Sequence, residues 1–348
     1  MLSVRISIGD KITVQRSGFS ELLQILQKKG YQLIGPRIRD GAIVYEQIDT
    51  DADLPAGWTD KQKAGQYRLE KRNDGALFAY VLGPRTWKQY LSPPVMTLWR
   101  AKRIGDTFEV VQEKKEIPQY AFIGVRACEI HAMEIQDKVF AQETYKDPTY
   151  VNIRKNAFIL AVNCTRPGGT CFCASMKTGP KVSKGFDIAL TEIINNHEHF
   201  FILEIGSERA LGVVESIEYT KAGEQEIRTE SDLLNKAVTS MGRSMDTGKI
   251  QEIFYRNYEN PHWETVAKRC LTCANCTMVC PTCFCWTVED STDLAGDAIR
   301  VKKQDSCFTS DFSYIHGGSV RYSAMARYRQ WLTHKLATWI DQFGTSGC

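Results

Sequence analysis

The first eighteen residues, MLSVRISIGDKITVQRSG, alternate apolar and polar positions and hold no apolar block of the kind a secretory signal needs. GFSELLQILQKKGY (18–31) has apolar positions at helical spacing and predicts a short amphipathic helix. GAIVYEQI (41–48) and ALFAYVLG (76–83) predict strands, SPPVM (92–96) a turn, and DTDADLPAGWTDKQKAGQ (49–66) a polar loop. Residues 1–115 therefore read as an α+β region.

From about Ala121 the pattern changes. AFIGVRAC (121–128) is an apolar run that ends in Cys128, followed by EIHAMEIQDKVF (129–140) at helical spacing. AFILAVNC (157–164) repeats the device and delivers Cys164, and FFILEIGS (200–207) predicts a third strand. Open α/β sheets place ligands at the carboxyl ends of their strands, so these cysteines stand where a site can form. SDLLNKAVTSMGRSM (231–245), GKIQEIFYRNYEN (248–260) and HWETVAKR (262–269) read as helices. In the tail, Met325, Tyr328, Leu332, Leu336, Trp339 and Phe343 share one face of a helix over 324–343, a stripe that predicts core or a subunit interface.

Composition narrows the class. A chain of 348 residues suits two or three domains, and 43% apolar with 24% charged residues is ordinary for globular proteins. A net charge of +3 gives no reason to expect nucleic acid or a membrane surface, and no run of 18 apolar residues is present. Twelve cysteines in a chain of this size, expected in the cytoplasm, point to metal ligation rather than disulfides.

The densest group is CLTCANCTMVCPTCFC (270–285). Cys270, Cys273, Cys276 and Cys280 follow the spacing C-x2-C-x2-C-x3-C with Pro281 behind, the pattern of bacterial ferredoxins. Two-residue gaps wrap a loop around one face of a cubane, and the longer gap with proline turns Cys280 toward a second cluster. Zinc sites space their cysteines in pairs a dozen or more residues apart, which fits poorly. Upstream, Cys128, Cys164, Cys171 and Cys173 supply four more thiols from two strand ends and the NCTRPGGTCFC loop (163–173). That number suffices for another cluster or a zinc, and buried structural cysteines are the plainer alternative. Pro167, Gly168 and Gly169 let backbone amides approach an anionic sulfur. Cys283, Cys285 and Cys307 could complete a cluster or shield one; spacing does not choose.

No G-x-G-x-x-G follows a strand and no G-x-x-x-x-G-K-[ST] occurs. The six histidines form no readable catalytic arrangement, and His197 and His199 in NNHEHF read as solvated loop residues. The pattern is that of an electron conductor whose chemistry happens on partners.

The sequence resembles the iron–sulfur beta subunit of cytoplasmic NAD(P)-linked nickel–iron (sulf)hydrogenases, with the electron-transfer chain of anaerobic sulfite reductases as a relative. GQYRLEKRNDG (65–75), LGPRTWKQYLSPP (82–94), FIGVRACEIHAMEIQDKVF (122–140), VNCTRPGGTCFCASMKTGP (162–180), GFDIALTE (185–192), the 270–285 run, DSCFTSDFSYIHGGSVR (305–321) and WLTHKLATWIDQFGTSGC (331–348) carry the resemblance. It implies an α+β N-terminal region followed by a mainly helical, ferredoxin-like 4Fe-4S dicluster module. The divisions expected are 1–115, an α/β region with an iron–sulfur site over 116–210, a helical connector over 211–265, and the module over 266–348.

The ligands implied are Cys128, Cys164, Cys171 and Cys173 for one [4Fe-4S] cluster, and Cys270, Cys273, Cys276, Cys280 and Cys348 for one or two more. Cys348 stands where the family begins its second motif, so the sequence reads as cut short there. FAD, NAD(P) and the nickel–iron centre are expected on partners: the small and large hydrogenase subunits, together with a flavin/NAD(P)-binding subunit. The function implied is electron transfer between them, with sulfur or polysulfide reduction supported in some members. One alternative is the electron-transfer role in an anaerobic sulfite reductase. From a different class, the alternative is a zinc-stabilised adaptor without redox activity.

Overall fold

A computed structural model describes residues 5–81, 83–111, 116–142, 144–195 and 198–348. The chain forms two compact units, each gathered from separated stretches: Met1–Trp87, Pro118–Glu134 and Tyr150–Thr247 in the first, Lys88–Ile117, Ile135–Thr149 and Gly248–Cys348 in the second. This division interleaves the consecutive segments expected from the sequence.

The first unit is built on an eight-stranded sheet. Its order is Thr220–Lys221, Lys11–Gln15, Glu198–Ile205, Ile188–Asn195, Phe158–Val162, Tyr120–Val125, Gln32–Arg39 and Ala42–Gln47. Ile188–Asn195, Phe158–Val162, Tyr120–Val125 and Gln32–Arg39 run parallel; the outer pairings are antiparallel. Every residue of Phe158–Val162 is buried, as expected of a parallel strand covered on both faces. The predicted helix spans Arg16–Lys28 and buries Phe19, Leu22, Leu23 and Leu26, a stripe at helical spacing, into the core with Val14, Leu190, Phe201 and Leu203. Each such side chain contributes about 1.5–3 kcal/mol on leaving water.

Three expectations are corrected in this unit. Within 49–66, expected to be loop throughout, Trp58–Lys63 forms a strand paired with Gln66–Lys71. Ala76–Val81, expected to be a strand, is buried but belongs to no sheet. Its backbone is satisfied by side chains instead. The Leu77 and Phe78 N–H groups donate to the Glu192 carboxylate, Val81 N–H donates to Asp60 Oδ1, and Arg126 donates to the Phe78 and Tyr80 carbonyls. His199 is no solvated loop residue: it lies in Glu198–Ile205, meets Glu192 Oε1 at 2.8 Å and packs on Phe201. His197 lies outside the described residues.

The second unit holds a four-stranded antiparallel sheet of order Trp286–Thr292, Ala298–Gln304, Val95–Ile104 and Thr107–Val111. Helices Ile250–Arg256, His262–Ala267, Asn275–Met278, Ala324–Thr333 and Trp339–Phe343 belong to the same unit. Residues 269–348 carry two seven-residue strands beside their helices, so a mainly helical module is not confirmed. The tail helix is interrupted by a π turn at His334–Thr338. Leu336 and Trp339 of its stripe are buried, and Trp339 stacks on Phe284 at 5.3 Å. Among the described residues no helix is long and apolar enough to cross a membrane.

Candidate metal centres

Two neighbouring parallel strands, Tyr120–Val125 and Phe158–Val162, end on the same edge of the large sheet, and each hands the chain to a cysteine. Gly124 makes the first delivery possible. Its φ is 89°, and the register with Phe158–Val162 slips between Ile123 and Val125. This kink turns the chain so that Cys128 falls in the first turn of helix Ala127–Asp137. Cys164 follows Val162 by two residues, its N–H donating to the Pro180 carbonyl at 3.1 Å. Cys171 and Cys173 come from the next loop, which is closed by Cys171 N–H on the Gly168 carbonyl at 3.1 Å.

These four sulfurs act on one another. The Cys128 thiol is pushed well above its usual range, by burial first and then by Glu129, Cys164, Cys173 and Cys171. Burial also raises Cys171; the Gly168 N–H, 3.3 Å from its sulfur, works against this and Cys164 adds to it. Cys173 is pushed up to about 12 by burial, Cys164 and Cys171. Thiols that raise one another resist ionising together, and a cationic metal core relieves that conflict because its ligands are thiolates. Arg126, only 3% exposed, is a fixed cation beside them. Burial works to lower its pKa, but Cys164, Tyr80, Tyr45 and Glu129 keep it raised. Glu129 is pushed up to about 7 by burial, although Arg126 N–H and Tyr45 Oη–H both donate to its Oε2 at 3.0 Å.

A strap over 240–247 crosses the cysteine loop. Met241 Sδ accepts from the Cys173 thiol at 3.9 Å and from Ala174 N–H at 3.4 Å. Arg243 N–H donates to the Cys171 carbonyl at 3.0 Å, and Met245 N–H to Ser175 Oγ at 3.1 Å.

In the second unit, Thr272 (φ 52°) and Ala274 (φ 64°) flank Cys273 in the left-handed region. A β-branched residue there is strained and persists only where its surroundings hold it. The turn aims Thr272 N–H at Cys270 Sγ, 3.4 Å away, and starts helix Asn275–Met278, which carries Cys276. The Cys276 thiol is raised by burial, Cys270 and Cys273. Cys307 is raised by its hydrogen bond with Cys285, then by burial, with Cys276 among the sulfurs acting on it. Cys285 falls to about 7 through that same bond.

Cys280 has different neighbours. Cys283 hydrogen-bonds its sulfur, Thr282 Oγ1 lies 3.1 Å away, and Lys335 Nζ donates to it at 3.1 Å; against burial, these hold the thiol well below its usual range. Cys348 is raised by burial, with Lys335 lowering it and Cys280 raising it. The nine cysteines singled out from spacing thus fall into three groups: Cys128, Cys164, Cys171 and Cys173; Cys270, Cys273 and Cys276; Cys280 and Cys348. Of the three left open, Cys283 joins Cys280, while Cys307 reaches both Cys276 and Cys285.

Among the described residues, no three His, Cys, Asp or Glu side chains converge on the point a single metal ion would occupy. The amide donors at Cys171 and Cys270 suit an iron–sulfur core. Spacing alone did not reveal Arg126, Met241, Lys88 or Lys335. Lys335 did leave a signal: it lies three residues after Leu332 and four before Trp339, a cation on an otherwise apolar stripe.

Residues 269–348 match the 4Fe-4S dicluster domain, an iron–sulfur module. A curated relative is the sulfhydrogenase 2 subunit beta of Pyrococcus furiosus, 31% identical over 214 residues, which are 61% of this chain and 62% of that protein. The chain therefore spans less than two thirds of the length of the relative it matches. No solved structure matches it. The resemblance read from the sequence stands on the same two findings.

Proposed function

We propose that the chain carries electrons between a nickel–iron hydrogenase heterodimer and a flavin/NAD(P) subunit, as the electron-transfer subunit of their complex. The observation that carries this reading is the match of 269–348 to a 4Fe-4S dicluster domain on the C-x2-C-x2-C-x3-C-P run. The likeness to a sulfhydrogenase beta subunit supports the choice of partners and of a hydrogenase over a sulfite reductase. Support for sulfur or polysulfide reduction is part of the same reading.

A [4Fe-4S] group supplies one-electron storage at a potential set by charge, hydrogen bonds and exposure. Cys128, Cys164, Cys171 and Cys173 would hold one such group. Cys270, Cys273 and Cys276 would hold a second, and Cys280 with Cys348 would belong to a third. Around them the chain's own residues do the tuning. Gly168 N–H and Thr272 N–H donate to ligand sulfurs, and Arg126 offsets negative charge in the first unit. Met241 covers the Cys173 sulfur with an apolar thioether.

Anaerobic purification with analysis of iron, acid-labile sulfide, nickel and zinc tests the reading. Iron and sulfide in near-equal amounts on this chain, with nickel only on co-purifying chains, is the expected result. Zinc without sulfide would overturn it. Hydrogen-dependent NAD(P) reduction is expected only once the partner subunits are added back.

A further inference from the structure

Two lysines of the second unit are buried where a lysine normally is not. Lys335 is 2% exposed and Lys88 is 7% exposed. Lys335 sits at the π turn of the tail helix. Its ammonium donates to Cys280 Sγ at 3.1 Å, Thr282 Oγ1 at 2.7 Å and the Gly347 carbonyl at 3.3 Å, with the Trp339 ring 4.9 Å away. Lys88 reaches the same place from another stretch of chain and donates to the Cys280 carbonyl at 2.9 Å and the Cys283 carbonyl at 3.3 Å. The negative groups that act on Lys335 are sulfurs: Cys280, Cys283 and Cys348. A buried cation is tolerated only when paired, and here thiolate sulfur is the pair.

We propose that Lys335 is a redox-tuning residue: its ammonium, hydrogen-bonded to the Cys280 sulfur, raises the reduction potential of the iron–sulfur group that Cys280 ligates. The inference rests on the iron–sulfur reading above. Reduction adds one electron, and hence one negative charge, to the group. A fixed positive charge about 3 Å from a ligand sulfur, screened little by water, favours the reduced form over the oxidised one. A charge-assisted donor is also stronger than the neutral amides that serve Cys171 and Cys270. Lys335 acts through Cys280 and makes no bond to iron. Thr282 fixes its aim, because the Thr282 hydroxyl lies against the Cys280 sulfur, accepts from Lys335 and donates to the Gly347 carbonyl at 2.7 Å.

The test is a redox titration of the full chain, purified anaerobically and followed by EPR and absorbance, with iron counted in every sample. Lys335→Gln keeps an N–H donor on a shorter side chain and removes the charge; Lys335→Arg keeps the charge. In Lys335→Gln the reduction equilibrium of one cluster should fall about tenfold, about 59 mV for one electron. The other signals should stay in place, and Lys335→Arg should recover most of the loss. In wild-type protein labelled with 15N-lysine, pulsed EPR of the reduced state should show nitrogen coupling to one cluster. That measurement needs no variant to fold. Unchanged potentials in Lys335→Gln at full iron content, or no lysine coupling in the wild type, would overturn the inference alone. Wild-type protein without iron and sulfide would overturn the iron–sulfur reading as well.

Discussion

Gly242 lies so close against Gly169 that a Cβ on Gly242 would collide with the Gly169 carbonyl. Gly169 belongs to the loop between Cys164 and Cys171, and Gly242 to the strap that carries Met241 onto Cys173. The strap and the cysteine loop are therefore in backbone contact, with no room for a Cβ at Gly242.

Gly242→Ala should accordingly cost about 1–3 kcal/mol, as overpacking against unyielding backbone does. Chemical denaturation of anaerobic samples checks the stability. Iron analysis should show the loss confined to the first unit, with the spectra of the 270–285 clusters unchanged.

Cys171→Ser should remove about one cluster, roughly four irons with their sulfide, and leave the C-terminal signals intact. Iron content equal to wild type would mean that Cys128, Cys164, Cys171 and Cys173 are ordinary core residues.

Arg126→Met removes a buried cation that donates to the Phe78 and Tyr80 carbonyls at 2.7 and 3.1 Å. Both carbonyls lie in a buried segment outside any sheet, so water cannot replace the donor. A loss of about 3 kcal/mol is expected in equilibrium unfolding.

Cys276→Ser and Cys280→Ser should abolish different EPR signals, since the two sulfurs keep different neighbours. If both variants erased the same signal and spared every other, the two cysteines would share one cluster, and the division of the C-terminal run would be wrong.

Much of this arrangement was legible in the sequence. Apolar runs ending in Cys128 and Cys164 announced the strands that stop just before those cysteines, because a buried parallel strand must be apolar throughout. The ferredoxin spacing announced the second unit's chemistry, and that region matches the dicluster domain. Ala76–Val81 misled because its apolar run is buried like a strand's while its hydrogen bonds go to Glu192, Asp60 and Arg126, partners that no local pattern reveals. The strands Trp286–Thr292 and Ala298–Gln304 were missed for a related reason: Ala298–Gln304 finds a partner in Val95–Ile104, about two hundred positions earlier. Lys335 left only a partial signal, a cation on an apolar stripe, because its sulfur neighbours lie outside any local pattern.

The pairing of Val95–Ile104 with Ala298–Gln304 also governs when the protein can be made whole. As the chain leaves the ribosome, Val95–Ile104 has only Thr107–Val111 to pair with, and a lone two-stranded hairpin is marginal in water. Its open edge waits for nearly two hundred more residues, a template for mispairing with any other nascent chain. The large sheet of the first unit is complete once Thr220–Lys221 has emerged. Synthesis thus imposes an order: the first unit's sheet can close while the chain is still growing, and the second unit's sheet only after its late strands have emerged.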